Sequence, residues 1–218
     1  MEQPKYASFA LEDLGEPSRL SSMSWEEVIE NYKHPTDDED IVKRDNIFID
    51  TVRLTVRSTP DFFFFYLKFM AQQNRLSRHV TLKLGLRQGL AILASDESMK
   101  ALAQYEEIIA NEFLIKGYAT NNQLLRTNPS WNWKHGYPSQ TSISIPRVYH
   151  SALHDYSQLL GIPVSSLAIL VCCMSFSTGS MTPHYESIMR AEVAQFRRAI
   201  EDKLSVFKRR YSPPDLTA

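Results

Sequence analysis

The chain has 218 residues, of which 43% are apolar and 22% charged, with a net charge of −1 at neutral pH. That length allows one substantial core or two small ones, and the composition is ordinary for a soluble globular protein. The longest apolar run, Ser166 to Phe176, is too short to cross a bilayer, which excludes a membrane-spanning reading. The N-terminal stretch MEQPKYASFALEDLGEPSRL is acidic and lacks a basic region followed by an apolar one, so no secretion signal is expected. Cys172 and Cys173 are adjacent within the apolar run and read as buried thiols of a reducing, cytoplasmic compartment, not as a disulfide framework.

The near-neutral total conceals a segregation. Residues 1–50 carry 13 acidic and 5 basic side chains. Residues 51–95 carry Arg53, Arg57, Lys68, Arg75, Arg78, Lys83 and Arg87 against Asp61 alone. An acidic arm precedes a basic module, and such asymmetry is a better guide to partners than the sum.

In chain order, SWEEVIENYK predicts a helix with Ser24 as N-cap and acids in the first turn. PTDDED after it reads as a solvated linker. Thr51 to Arg57 then alternate, with Val52, Leu54 and Val56 on one face and Thr51, Arg53, Thr55 and Arg57 on the other, the pattern of a half-buried strand. Ser58-Thr59-Pro60 is a cap and first-turn signal for a helix over DFFFFYLKFMAQQNR. A second helix is predicted from Ser77 to Ala94, with an apolar stripe of Val80, Leu84 and Leu90/Ala91. An amphipathic helix follows near Ser98 to Lys116, then a turn-rich connection, TNNQLLRTNPSWNWKHGYPSQ.

The chain then repeats itself. TSISIP alternates again, a helix RVYHSALHDYSQLLG ends on Gly161 as a C-cap residue, and a second helix follows Pro163 through the apolar run. A final helix runs from about Pro183 to Arg210. The organisation expected is an acidic arm with one helix (1–45), a first strand–helix–helix unit (46–96), a linking helix and loop (97–139), a second unit (140–180) and a C-terminal basic helix and tail (181–218).

A short alternating strand, a helix, a tight turn and a second helix resemble the ribbon-helix-helix fold of MetJ/Arc/CopG-like DNA-binding proteins. GIPVSSLA resembles that family's usual start of the second helix, and RLSRHV resembles it without the glycine. The first unit is about three residues longer, because of STP. The resemblance implies a mainly α fold with short β-strands: tandem ribbon-helix-helix units plus extra N-terminal, linking and C-terminal helices. It further implies that two strands pair into an antiparallel ribbon for the DNA major groove, a shape the groove admits. The base-reading residues would then be Thr51, Arg53, Thr55 and Arg57 on the first strand and Gln140, Ser142 and Ser144 on the second. Phosphates would meet Ser77 with Arg78, and Ser165 with Ser166, at the starts of the second helices.

An exposed Arg/Thr row is also what an edge strand uses to avoid aggregation, and the neutral second unit would serve equally as a pairing partner or a dimerisation module. Pairing within one chain is favoured, since the connection gives enough reach, and would make an asymmetric site; pairing with a second chain is the alternative. His150 and His154 have metal-ligand spacing, yet the stripe Tyr149, Leu153, Tyr156, Leu160 leaves them at the edge and outside, as surface histidines. Phe62 to Phe65 cannot all face one core. Trp131 and Trp133 would stack on bases or plug a loop, and FKRR would touch phosphates or end a helix in solvent.

The chain lacks a Gly-rich phosphate loop, a GxSxG and an HExxH, so neither catalysis, nor a cofactor, nor a metal is expected. The function expected is sequence-specific binding of double-stranded DNA as a nucleoid-associated transcriptional regulator or repressor, as a homodimer or higher oligomer; the resemblance to the ribbon-helix-helix family further implies a bacterial, archaeal, phage or viral source. Alternatives are a plasmid accessory factor for partition, replication control or conjugative transfer, and an antitoxin-like interaction module whose acidic N-terminal arm or C-terminal helix grips a protein partner.

Overall fold

A computed structural model describes residues 17–34, 51–56, 59–105, 136–137 and 141–211. The elements are α1 (Pro17–Ser22), α2 (Trp25–Lys33), β1 (Thr51–Val56), β2 (Thr59–Pro60), α3 (Asp61–Gln73) and α4 (Arg78–Ser95). They continue with a helical segment over 97–105, then β3 (Gly136–Tyr137), β4 (Thr141–Pro146), α5 (Arg147–Leu160), α6 (Val164–Phe176) and α7 (Pro183–Tyr211). The described residues are mainly helical, with a small antiparallel sheet. PTDDED, Arg57, Gln140, Trp131 and Trp133 lie outside them, as does the expected helix beyond residue 105.

Local chemistry sets the helix ends. At Ser24 the hydroxyl accepts the Glu27 N–H at 3.3 Å while the Glu27 carboxylate accepts the Ser24 N–H at 2.6 Å, a reciprocal cap. α3 and α5 both follow a proline, Pro60 (φ −58°, ψ 142°) and Pro146 (φ −52°, ψ 141°). Pro60 is therefore the cap residue itself, one place ahead of the first-turn position expected for it. α5 ends at Gly161 in the left-handed region (φ 70°), where the N–H groups of Gly161 and Ile162 both reach the Ser157 carbonyl. α3 ends the same way without glycine: Arg75 takes φ 54°, and the Leu76 N–H reaches the Ala71 carbonyl at 2.9 Å.

Corresponding residues of the two strand–helix–helix units are thus 86 apart (146 − 60; 161 − 75). In the strands the correspondence shifts. β1 and β4 pair antiparallel within the chain, with Leu54 opposite Ile143 near the middle of the ladder and 89 residues away (143 − 54). The difference is the three residues 57–59 of the first unit. β2 and β3 form a second, two-residue pair that sequence alone did not suggest.

Beneath the ribbon lie Leu54, Val56, Ile143 and Ile145, all buried. The core is built around a close crossing of α4 and α6. A Cβ on Gly89 would lie 2.0 Å from the Val171 carbonyl oxygen, and one on Gly85 would lie 2.9 Å from the Phe176 ring. α6 is buried all round from Ser166 to Phe176, covered by α4, α5, α7 and β1. α4 lies under α1, α2 and α3 as well as against α6. Its expected single stripe is consequently too narrow: Thr81, Leu82, Leu86, Gln88 and Leu93 are buried too, and Val80 is only half-buried. α7 lays Met189, Val193, Phe196, Ile200, Leu204 and Phe207 on the core. Among the described residues no single helix is long and apolar enough to cross a membrane.

The N-terminal helices belong to this core. Gln88 is fully buried; its Nε2 donates to the Met23 carbonyl at 2.7 Å and its Oε1 accepts from Ser175 Oγ at 2.6 Å. Trp25 meets Phe176 edge-on at 4.7 Å, and Glu26 accepts the Ser180 N–H at 2.7 Å. Residues 17–34 are docked and do not form a free arm. Of the phenylalanine run, Phe63 packs on Phe176 while Phe65 stays 48% exposed.

Gly89→Ala pushes a methyl into backbone and is expected to cost at least the ~1–3 kcal/mol of core overpacking. Gly85→Ala meets a ring edge that can yield and should cost less; urea midpoints of the two variants check the order. Both thiols are free and buried, and burial pushes both up from their ordinary value. The native state therefore keeps protons that unfolded thiols lose above about pH 9, so stability is intact below that pH and falls as pH rises. The expected slope is up to about 1.4 kcal/mol per pH unit per thiol. Replacing Cys172 and Cys173 by alanine should flatten the loss between pH 9 and 10; an unchanged slope would assign it to other groups.

Candidate nucleic-acid interface

Strand alternation fixes which side chains leave the core. With Leu54 and Val56 turned inward, β1 presents Thr51, Arg53 and Thr55 outward, and β4 presents Ser142 and Ser144. Arg53 stands opposite Ser144, both exposed. Thr55 stands opposite half-buried Ser142, their hydroxyl oxygens 3.2 Å apart in a cross-strand hydrogen bond. Thr51 faces Pro146. Among the described residues the Arg53 guanidinium has no ion-pair or hydrogen-bond partner. Among the described residues the outer row is therefore one long cation among small hydroxyls, a low surface on which an arginine can reach a base edge.

The starts of α4 and α6 differ. Ser77 (φ −72°, ψ 152°) caps α4: its hydroxyl oxygen accepts the Val80 N–H at 3.2 Å, and its carbonyl accepts the Thr81 N–H and hydroxyl at 3.0 and 3.1 Å. Among the described residues no acceptor takes the Ser77 hydroxyl proton, which leaves it to an anion. Exposed Arg78 lies over the Phe64 ring at 5.8 Å, an arrangement that steadies the guanidinium without neutralising it. At α6 the cap position is Pro163, with no side-chain cap. Ser165 is half-buried and Ser166 only 7% exposed. Ser166 is thus turned into the core and cannot reach a phosphate, so any such contact there rests on Ser165.

The histidine pair lies where the apolar stripe put it, His150 half-buried and His154 exposed, rings 5.2 Å apart. Burial, then His154 and Arg147, depress the His150 pKa, so it stays neutral at pH 7. Among the described residues no third ligand joins them. Sequence reasoning missed buried Lys203, whose ammonium donates to the Leu159 carbonyl at the end of α5. A lysine on the inner stripe of α7 was the available signal. No family model, curated protein or solved structure matches the chain.

Aspartate caps a helix as well as serine does. Ser77→Asp should therefore leave the unfolding midpoint near wild type while weakening any polyanion binding at this turn, most strongly at low salt. Ser77→Ala should do the reverse, costing about 1 kcal/mol of stability. Urea unfolding and duplex titration of both variants separate capping from anion contact.

Proposed function

We propose that the chain is a sequence-specific double-stranded DNA-binding protein, a transcriptional regulator that lays its β1–β4 ribbon in the major groove. On this reading its two units are a single-chain, tandem form of the ribbon-helix-helix arrangement. The observation that carries it is the outer row of the ribbon, where Arg53, without an ion-pair or hydrogen-bond partner among the described residues, stands among Thr51, Thr55, Ser142 and Ser144. The major groove admits a two-stranded ribbon, arginine forks onto guanine O6 and N7, and hydroxyls serve either base type. The basic excess of residues 51–95 supplies the phosphate term that any such protein needs, with exposed Arg78 at a helix start beside the Ser77 hydroxyl.

The test is fluorescence anisotropy with pooled genomic duplexes at two salt concentrations. Arg53→Ala should lose about 1–3 kcal/mol on the preferred sequence and little on others. Arg78→Ala should weaken all duplexes alike and lower the salt slope by about one. Equal binding by wild type and Arg53→Ala would remove the ribbon as reader, and no binding at either salt would overturn the regulator reading.

A further inference from the structure

We propose that one copy of the chain reads a site lacking dyad symmetry, and that Arg53 sets the site's polarity by taking a guanine in one half only. This rests on the DNA-binding reading above and deepens it. A ribbon built from two identical chains offers the same residues to both half-sites, so the sequence it selects is a palindrome. Here both strands and both central helices come from a single chain. Leu54, Val56, Ile143 and Ile145 are buried with no second copy present.

Among the described residues the two halves differ most at Arg53. The ladder centred near Leu54 and Ile143 makes Ser142 the counterpart of Arg53 (53 + 89) and Ser144 the residue opposite it. Serine therefore stands both as the partner and as the counterpart of the only forked donor in the described row. Thr55 and Ser142 are tied to each other one step beyond Leu54 and Ile143, so among the described residues the forked donor lies on the Arg53 side alone. The helices carry the same imbalance. At the spacing of 86, Lys68 corresponds to His154, Arg75 to Gly161, Arg78 to Val164, Lys83 to Ile169 and Arg87 to Cys173. None of these positions carries a lysine or arginine in the second unit, and only Arg147, which stands where the first unit has Asp61, runs the other way, so the cations of the central helices lie on the first unit.

The test is selection of duplexes from a random pool by the full chain, followed by sedimentation of protein on the selected duplex. The expected result is a consensus without dyad symmetry, bound by one 25.1 kDa chain. Arg53→Ala should lose about 5- to 150-fold for the selected guanine in one half and leave preferences in the other unchanged. Ser142→Arg places a guanidinium at the corresponding position and should raise affinity for a palindrome made from the Arg53 half; unchanged urea midpoints confirm that both variants fold. A palindromic consensus bound by two chains would overturn the inference and leave DNA binding standing. A pool with no enriched sequence would overturn DNA reading itself, and the inference with it.

Discussion

Backbone meets side chain and backbone where α4 crosses α6, and the fold depends on that approach. Helices separated by ordinary side chains sit roughly 8–10 Å apart; at Gly89 there is no room for a single methyl before the Val171 carbonyl. Neither helix could be solvated on this face, because α6 is apolar around its whole circumference and α4 around most of its own. The strands share the dependence. A two-stranded ribbon is marginal alone, and its inner row is covered only when helices of both units lie beneath it. Each unit is half of one core, which is why the strands pair within the chain.

The remaining helices follow from what that crossing leaves uncovered. α1 and α2 lie on α4, and α7 lies on α6, so each central helix has its own shield. A polar pin joins the first shield to the crossing. Gln88, one residue from Gly89, is buried with its amide donating to Met23 and accepting from Ser175, so the N-terminal segment, α4 and α6 are bound through one side chain. A buried amide satisfied on both sides specifies one arrangement, since any slip leaves it unpaired in a low-dielectric interior. Trp25 on Phe176 adds area to the same joint. The acidic residues of α2 are thereby held to the core by its most buried contacts.

Periodic features were legible in the chain. The β1 and β4 alternation, the Ser24 cap, Gly161, the buried thiols and the exposed His154 all have local causes, and local causes leave local patterns. What was not legible depends on a distant partner. Gly85 and Gly89 read in isolation as weak points of a helix, although their spacing of four is the mark of one flat face. Gln88 and Lys203 look like surface residues until Ser175 and Leu159 arrive from elsewhere in the chain. Arg75 in a left-handed turn carries no sequence mark at all, because the turn is imposed by helices on either side. Ser166 looked like a phosphate contact because serine favours helix starts, and burial by the rest of the core decided otherwise. Of the interface, Arg53, Thr55, Ser142 and Ser144 were readable by alternation alone, whereas their cross-strand register was not.

The uneven charge of the two units has a structural cause in the same packing. Positions that backbone geometry requires are shared: Pro60 and Pro146 at the caps, Arg75 and Gly161 at the turns. Positions that the environment controls are not. Lys83 and Arg87 are half-buried on α4, where a long stem can lie along the core while its charge meets water. Their counterparts Ile169 and Cys173 are 1% and 0% exposed. Cys173 lies close enough to Glu192 of α7 for that carboxylate to add to the rise in its pKa. An ammonium or guanidinium at either place would be stripped of water without a partner, at a cost of several kcal/mol. Once α7 covers α6, the second unit cannot carry cations along that helix, and a basic surface along the central helices can form only on the first.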